Sequence, residues 1–275
     1  MLKTRLLTSA TLMAGFLLGL FLLPDTYWAL LTLVVILIGL WEWAGLSKFS
    51  PLSRNAYLVV TLLACCFLIF ADKVDLAYLR PLTLFWGILI ATFFWLLLCP
   101  IWLISRYRLK SRFGLAIAGW LVMLPLWLAL VSLRNVDPRL LLGLIAVIWI
   151  ADTAAYFSGK RFGKHKLAPQ ISPGKTWEGV IGAWLAVSAY GLLLCLAFGF
   201  DYWLIAAMWG ITVLSIMGDL LESLMKRQAD MKDSSNLLPG HGGMLDRIDG
   251  LTSSLPMAAL FIYFPAYYTV FLHYV

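Results

Sequence analysis

Two polar segments interrupt an otherwise apolar chain, and each mixes glycine with cationic, hydroxyl and carboxylate side chains. The first reads Gly159-Lys-Arg-Phe-Gly-Lys-His-Lys and then Ser172-Pro-Gly-Lys-Thr-Trp-Glu-Gly179. The second holds Glu222-Ser-Leu-Met-Lys-Arg, Lys232-Asp233 and Pro239-Gly-His-Gly-Gly-Met-Leu-Asp-Arg-Ile-Asp249. A phosphate and divalent-cation site calls for that mixture. Glycine lets backbone N–H groups approach phosphate oxygens, Lys and Arg neutralise them, and carboxylates hold the metal. Asp219 and Glu222 are three apart and share a helix face, as do Asp246 and Asp249 if that segment is helical. Two such pairs suit one or two Mg²⁺ ions carrying a nucleoside triphosphate. Asp152 and Asp219 fall inside apolar runs, where a charge costs on the order of 2.5–3.5 kcal/mol and so faces a cavity or a partner.

The elements that must position these groups are membrane helices. Of 275 residues, 62% are hydrophobic and 13% charged, and the mean hydropathy is +0.89. A soluble chain of this length carries about 25% charged residues. The formal charge of +7 does not point to nucleic acid, because the charges cluster between apolar runs as in membrane loops. Cys65, Cys66, Cys99 and Cys195 lie in apolar runs without metal-ligand spacing and read as small hydrophobes. Lys3 and Arg5 ahead of Leu6–Leu23 resemble a signal peptide, but the run is long enough to span and no small-x-small site follows it, so an uncleaved first span is expected.

Apolar runs at about 6–23, 27–46, 56–71, 81–104, 113–133, 139–158, 178–200, 202–221 and 251–272 predict an all-α, polytopic transmembrane protein of nine spans, with Pro100 ending or kinking the fourth. Residues 1–140 would form an N-terminal group of about five spans. Residues 141–275 would carry the chemistry on loops 159–177 and 222–250. With the N-terminus in the cytoplasm and the C-terminus in the periplasm, 17 of the 21 Lys and Arg residues face the cytoplasm, and only Lys73, Arg80, Arg134 and Arg139 face outward. That asymmetry is the one membrane proteins show.

The stretch Ser223-x-x-Lys226-Arg227-x4-Lys232-Asp233-x7-His241-Gly242-Gly243-x-x-Asp246-Arg247-x-Asp249 resembles the signature of the phosphatidate cytidylyltransferase (CDP-diacylglycerol synthase) family. It fixes eleven positions across 27 residues. Ser172-Pro173-x-Lys175-Thr176-x-Glu178-Gly179 resembles a second family motif, although some members have a lysine where this chain has Gly174. Asp152-x-x-Ala155-Tyr156-x-x-Gly159 is similar too. The likeness is strong from about 145 to 255 and rests only on hydropathy and span number before 140.

The resemblance implies a bacterial inner-membrane enzyme, with its site facing the cytoplasm, that joins CTP and phosphatidic acid with a divalent cation such as Mg²⁺. It also implies a homodimer. On that basis Asp219, Asp246, Lys226 and His241 are the expected catalytic groups, His241 through a hydrogen bond to phosphate. Asp219, Asp246 and Asp249 are the expected metal ligands. Ser172, Lys175, Thr176, Ser223, Arg227, Lys232, Gly242, Gly243 and Arg247 are expected to contact the substrates. Glu178 and Glu222 read as structural, and Asp152 is balanced between packing and function. The run Arg106, Arg108, Lys110, Arg112 is expected to meet anionic head groups. Two other readings stay open: another CTP-using lipid enzyme such as a polyprenol kinase, and a transporter of an anionic solute. Against the transporter, the charged motifs lie almost entirely on one face, whereas alternating access needs both.

Overall fold

In lipid a segment must satisfy its own backbone N–H and C=O groups, so long apolar runs become helices and the short polar stretches between them set the ends. In the computed structural model the described backbone comprises residues 2–74, 76, 78–238, 240 and 242–274, with side chains described at all of these except 2–9, 12, 72 and 264–274. The helices are α1 (Leu2–Leu22), α2 (Asp25–Leu46), α3 (Pro51–Ile69), α4 (Leu79–Phe93), α5 (Cys99–Ser105), α6 (Arg112–Val136), α7 (Pro138–Phe162), α8 (Trp177–Phe198), α9 (Trp203–Gln228) and α10 (Leu245–Tyr274).

Among the described residues, seven helical segments are long and apolar enough to cross a membrane: α2, α3, α4 with α5, α6, α7, α8 and α9. They coincide with the second to eighth expected spans, and this is a multi-pass membrane protein. The first and ninth expected spans fall in α1 and α10. Pro100 does not end its span, which runs through Leu79–Ser105. A wide π-turn over Phe94–Leu98 precedes it, which is how a helix accommodates a residue that has no N–H to donate.

Helix starts carry local caps. The hydroxyls of Ser50, Ser111 and Thr176 accept from the N–H groups of Ser53, Gly114 and Gly179, and Asp137 accepts from the Arg139 N–H ahead of Pro138. Each satisfies a donor that the first turn leaves free.

Two corrections to the sequence reading concern the loops. Lys160–Phe162 still belong to α7, and Glu222–Gln228 to α9, because helix bounds follow backbone hydrogen bonding whereas hydropathy follows side chains. The remainder of the first loop is not helical or irregular: β1 (Lys166–Ala168) and β2 (Ser172–Thr176) form an antiparallel hairpin, with Lys166 opposite Thr176 and Ala168 opposite Ser172. Ile171 at its turn packs on Leu220 and Leu224 of α9.

The core is built on α2, α6 and α10. Indole N–H groups clasp α2 to α6: Trp28 donates to Leu130 O (3.1 Å), Trp43 to Leu115 O (2.8 Å) and Trp127 to Ala29 O (3.0 Å). One cluster of buried apolar side chains extends from Leu20 to Ala259. A second joins α7, α8 and α9 through Val147, Ala183, Val187 and Met208.

Candidate functional site

The polar groups gather where α9 and α10 cross in antiparallel sense, and small residues bring the two helices together. A Cβ on Gly218 would lie 2.2 Å from the Asp249 carbonyl oxygen, and one on Gly250 would lie 2.5 Å from the Ser215 hydroxyl. Ser253 donates its hydroxyl to Leu214 O at 2.6 Å. Close approach of this kind is how helices associate where lipid removes the hydrophobic drive. It places the carboxylates of α9 opposite those of α10.

Two lysine–carboxylate clusters result. In one, Lys226 Nζ meets Asp246 Oδ1 at 2.6 Å and ion-pairs with Glu222 one turn back on α9. Glu222 is 3% exposed and Lys226 12%, so these charges have little water to screen them. Among the described residues no other group donates to Glu222. The second oxygen of Asp246 accepts from the Ser234 N–H (2.9 Å), the Ser234 hydroxyl (2.7 Å) and the Gly243 N–H (2.8 Å). In the other cluster, Lys175 from the hairpin places Nζ 2.6 Å from Asp219 Oδ2, and Ser223 donates to Asp219 Oδ1 at 3.1 Å. Asp152 of α7 and Asp249 of α10 lie within electrostatic range of Asp219 and Lys175. Carboxylates from three helices thus lie around the Lys175–Asp219 pair.

The hairpin is held against this region from both sides. Thr176 caps α8 through the Gly179 N–H at 3.1 Å. Glu178 accepts from the His165 N–H and meets its Nδ1 at 2.7 Å. Arg227 Nε donates to Ile171 O at 3.4 Å.

A family model described as the cytidylyltransferase family matches residues 3–265. This chain belongs to the cytidylyltransferase family. It is similar to the phosphatidate cytidylyltransferase of Pseudomonas aeruginosa, with 38% identity over 96% of this chain and 97% of that protein. It is also similar to the phosphatidate cytidylyltransferase of Haemophilus influenzae, with 34% identity over 96% of this chain and 99% of the relative. The phosphatidate cytidylyltransferase of Bacillus subtilis is 36% identical over 56% of this chain and 60% of its own length.

In this cytidylyltransferase the expected site residues do not form one shell. Asp219, Lys175 and Ser223 are mutually bonded, and Asp246 with Lys226 forms the neighbouring cluster. Gly243 approaches an anion as expected, but that anion is the Asp246 carboxylate, and Gly242 takes a positive φ of 77° beside it. The Thr176 hydroxyl serves its helix cap, while Ser172 lies at the start of β2 and Arg227 braces the hairpin turn. Lys232 and Arg247 are exposed. His241 and Pro239 lie outside the described residues. Arg108, expected at the head groups, donates to Gln228 O at 2.8 Å and closes the end of α9.

Among the described residues no three His, Cys, Asp or Glu side chains are gathered at ligating spacing. The donor set still fits a hard cation. Asp152, Asp219 and Asp249 offer carboxylate oxygens beside the Lys175 ammonium, which is the donor chemistry that Mg²⁺ requires. Glu42 was not anticipated. It reaches from α2 to the loop before α10, and the signal was available: it is a carboxylate near the end of an apolar span, as Asp219 is.

Proposed function

We propose that this chain transfers a cytidylyl group from CTP to phosphatidic acid, forming CDP-diacylglycerol and pyrophosphate. The observation that carries the reading is the pair of lysine–carboxylate clusters at adjoining turns of α9 and α10. They bring together Ser223, Lys226 and Asp246 of the signature and Lys175 of the second motif, in a chain similar to phosphatidate cytidylyltransferases over nearly its whole length.

A phosphatidate oxygen attacks the α-phosphorus of CTP, the bond from that phosphorus to the bridging oxygen breaks, and pyrophosphate leaves. The attacking phosphate monoester has a second pKa of about 6 and is mostly dianionic at neutral pH, so no strong general base is needed. Bringing two polyanions together and neutralising the leaving group is the main task. Lys175 and Lys226 are the cations closest to the carboxylates, and each can exchange its carboxylate for a phosphate. Arg227, Lys232 and Arg247 extend the positive surface for the triphosphate, with Ser172, Thr176, Ser223 and the Gly242–Gly243 backbone as further contacts and His241 donating to phosphate. Asp219 and Asp249, with Asp246 once Lys226 moves to phosphate, are the residues to hold Mg²⁺. That ion, when bound, supplies charge neutralisation at the triphosphate.

In this reading the reacting groups come from 141–275, residues 1–140 form the scaffold, and the site faces the cytoplasm of a bacterial inner membrane in a homodimer. The test is to incubate detergent-purified protein with phosphatidate and CTP labelled at the α-phosphate, with Mg²⁺ and with EDTA. Labelled lipid with pyrophosphate release, lost in EDTA and reduced more than about 10²-fold in Asp246→Asn, is the expected result. CDP release with unlabelled lipid would mark a kinase and overturn the reading.

A further inference from the structure

Glu42 lies in α2, is 1% exposed and belongs to no part of the signature, yet four donors converge on it from a single short segment. Its Oε1 accepts from the Ser235 hydroxyl (2.5 Å) and the Met244 N–H (2.9 Å). Its Oε2 accepts from the Ser234 hydroxyl (3.1 Å) and the Leu245 N–H (2.6 Å). A carboxylate in a span is costly to insert, and a neutral residue would avoid the cost. Here four donors and the positive end of the α10 helix offset it. The first turn of α10 has no cap of its own at these two N–H groups, so α2 supplies it.

The link continues to the reacting groups. The Ser234 hydroxyl lies 3.1 Å from Glu42 and 2.7 Å from Asp246 Oδ2. It has one proton for two carboxylates, so their positions are tied to each other through it. Gly243 records the same constraint, since a Cβ there would sit 2.1 Å from the Ser234 oxygen and 2.4 Å from Glu42 Oε1. The glycine of the signature is therefore needed as much for Glu42 as for any ligand.

We infer that Glu42 is a positioning residue for the transfer: through Ser234 and the start of α10 it fixes the orientation of Asp246. The inference rests on the proposed transferase reading, in which Asp246 meets the divalent cation. Glu42→Gln replaces one acceptor by an NH₂ group facing backbone N–H donors. Ser234→Ala breaks only the bridge and leaves Glu42 with its other three donors.

The experiment compares both variants with the unaltered protein in detergent by kcat and KM for CTP, by Mn²⁺ binding from electron paramagnetic resonance, and by thermal unfolding. The expected result for each variant is a fall of about 10–100-fold in Mn²⁺ affinity or kcat, with KM for CTP little changed. In the Asp246→Asn background Glu42→Gln then adds no further loss of Mn²⁺ affinity. Variants that unfold earlier but keep the original kcat and Mn²⁺ affinity would overturn the inference, as Glu42 would then be a structural cap only. If Glu42→Gln does not fold, Ser234→Ala decides by the same readouts. Unaltered protein that makes no CDP-lipid would overturn the transferase reading and this inference with it. Turnover by unaltered protein, matched by both variants, would overturn the inference alone.

Discussion

Removing the Lys226 ammonium would leave Glu222 and Asp246 facing each other in a pocket almost closed to water. Breaking a buried pair by deleting one partner costs about 3–5 kcal/mol, since the charge left behind is uncompensated. Lys226→Met is therefore expected to lower the thermal unfolding midpoint in detergent markedly. Asp246 keeps its donors from Ser234 and Gly243, so adding Glu222→Gln removes the stranded charge and restores much of that stability. It does not restore labelling of phosphatidate, because the proposed reaction needs the ammonium at phosphate. A double variant with the original turnover would remove Lys226 from the site. Lys226 and Asp246 were legible in the sequence because the signature spaces them for one task. Glu42 was marked in the sequence only as a carboxylate near the end of a span, and its partners were not legible, because each is at least 192 positions away in the chain and no local pattern relates them.

At the scale of elements, the site depends on how closely α9 and α10 approach, and glycine sets that distance. Gly218→Ala would press a methyl onto the Asp249 carbonyl, which is backbone and cannot rotate away. The helices must then part, at a cost of about 1–3 kcal/mol for overpacking, and the carboxylate clusters separate with them. Turnover is expected to fall more steeply than stability. Gly210→Ala on the same helix meets nothing within 4 Å and is expected to leave turnover unchanged and to raise stability by about 0.5–1 kcal/mol at most. If Gly210→Ala loses turnover as Gly218→Ala does, the close crossing is not responsible. The spans themselves were readable, since apolar runs this long have few other fates. The β1–β2 hairpin was not: strands of three and five residues, one containing Pro173 and Gly174, show no alternation. Tertiary ties to α8 and α9 hold them in place. The same limit applies to the end of α9, where polar side chains on a continuing helix read as a loop.

For the whole molecule the question is which end faces the cytoplasm, and the few cations expected on the far side bear on it. Arg80 donates Nε to Leu68 O at 2.9 Å, and Arg134 donates Nε to Leu20 O at 3.1 Å and ion-pairs with Asp25. Each satisfies carbonyls left free at the end of a helix, α3 and α1 respectively, where the helix dipole favours a cation. Lys175 and Lys226, among the 17 cations expected on the other face, are likewise ion-paired, so pairing takes cations from both sides of the comparison. The orientation bias therefore stays at the count of 17 to 4. Lys73 and Lys232 are both exposed and lie on opposite faces in this orientation. With the four native cysteines replaced, a membrane-impermeant maleimide is expected to label Lys73→Cys in intact spheroplasts and Lys232→Cys only after permeabilisation. The reverse pattern would place the lysine–carboxylate clusters outside, away from cytoplasmic CTP, and the proposed reaction could not then proceed as written.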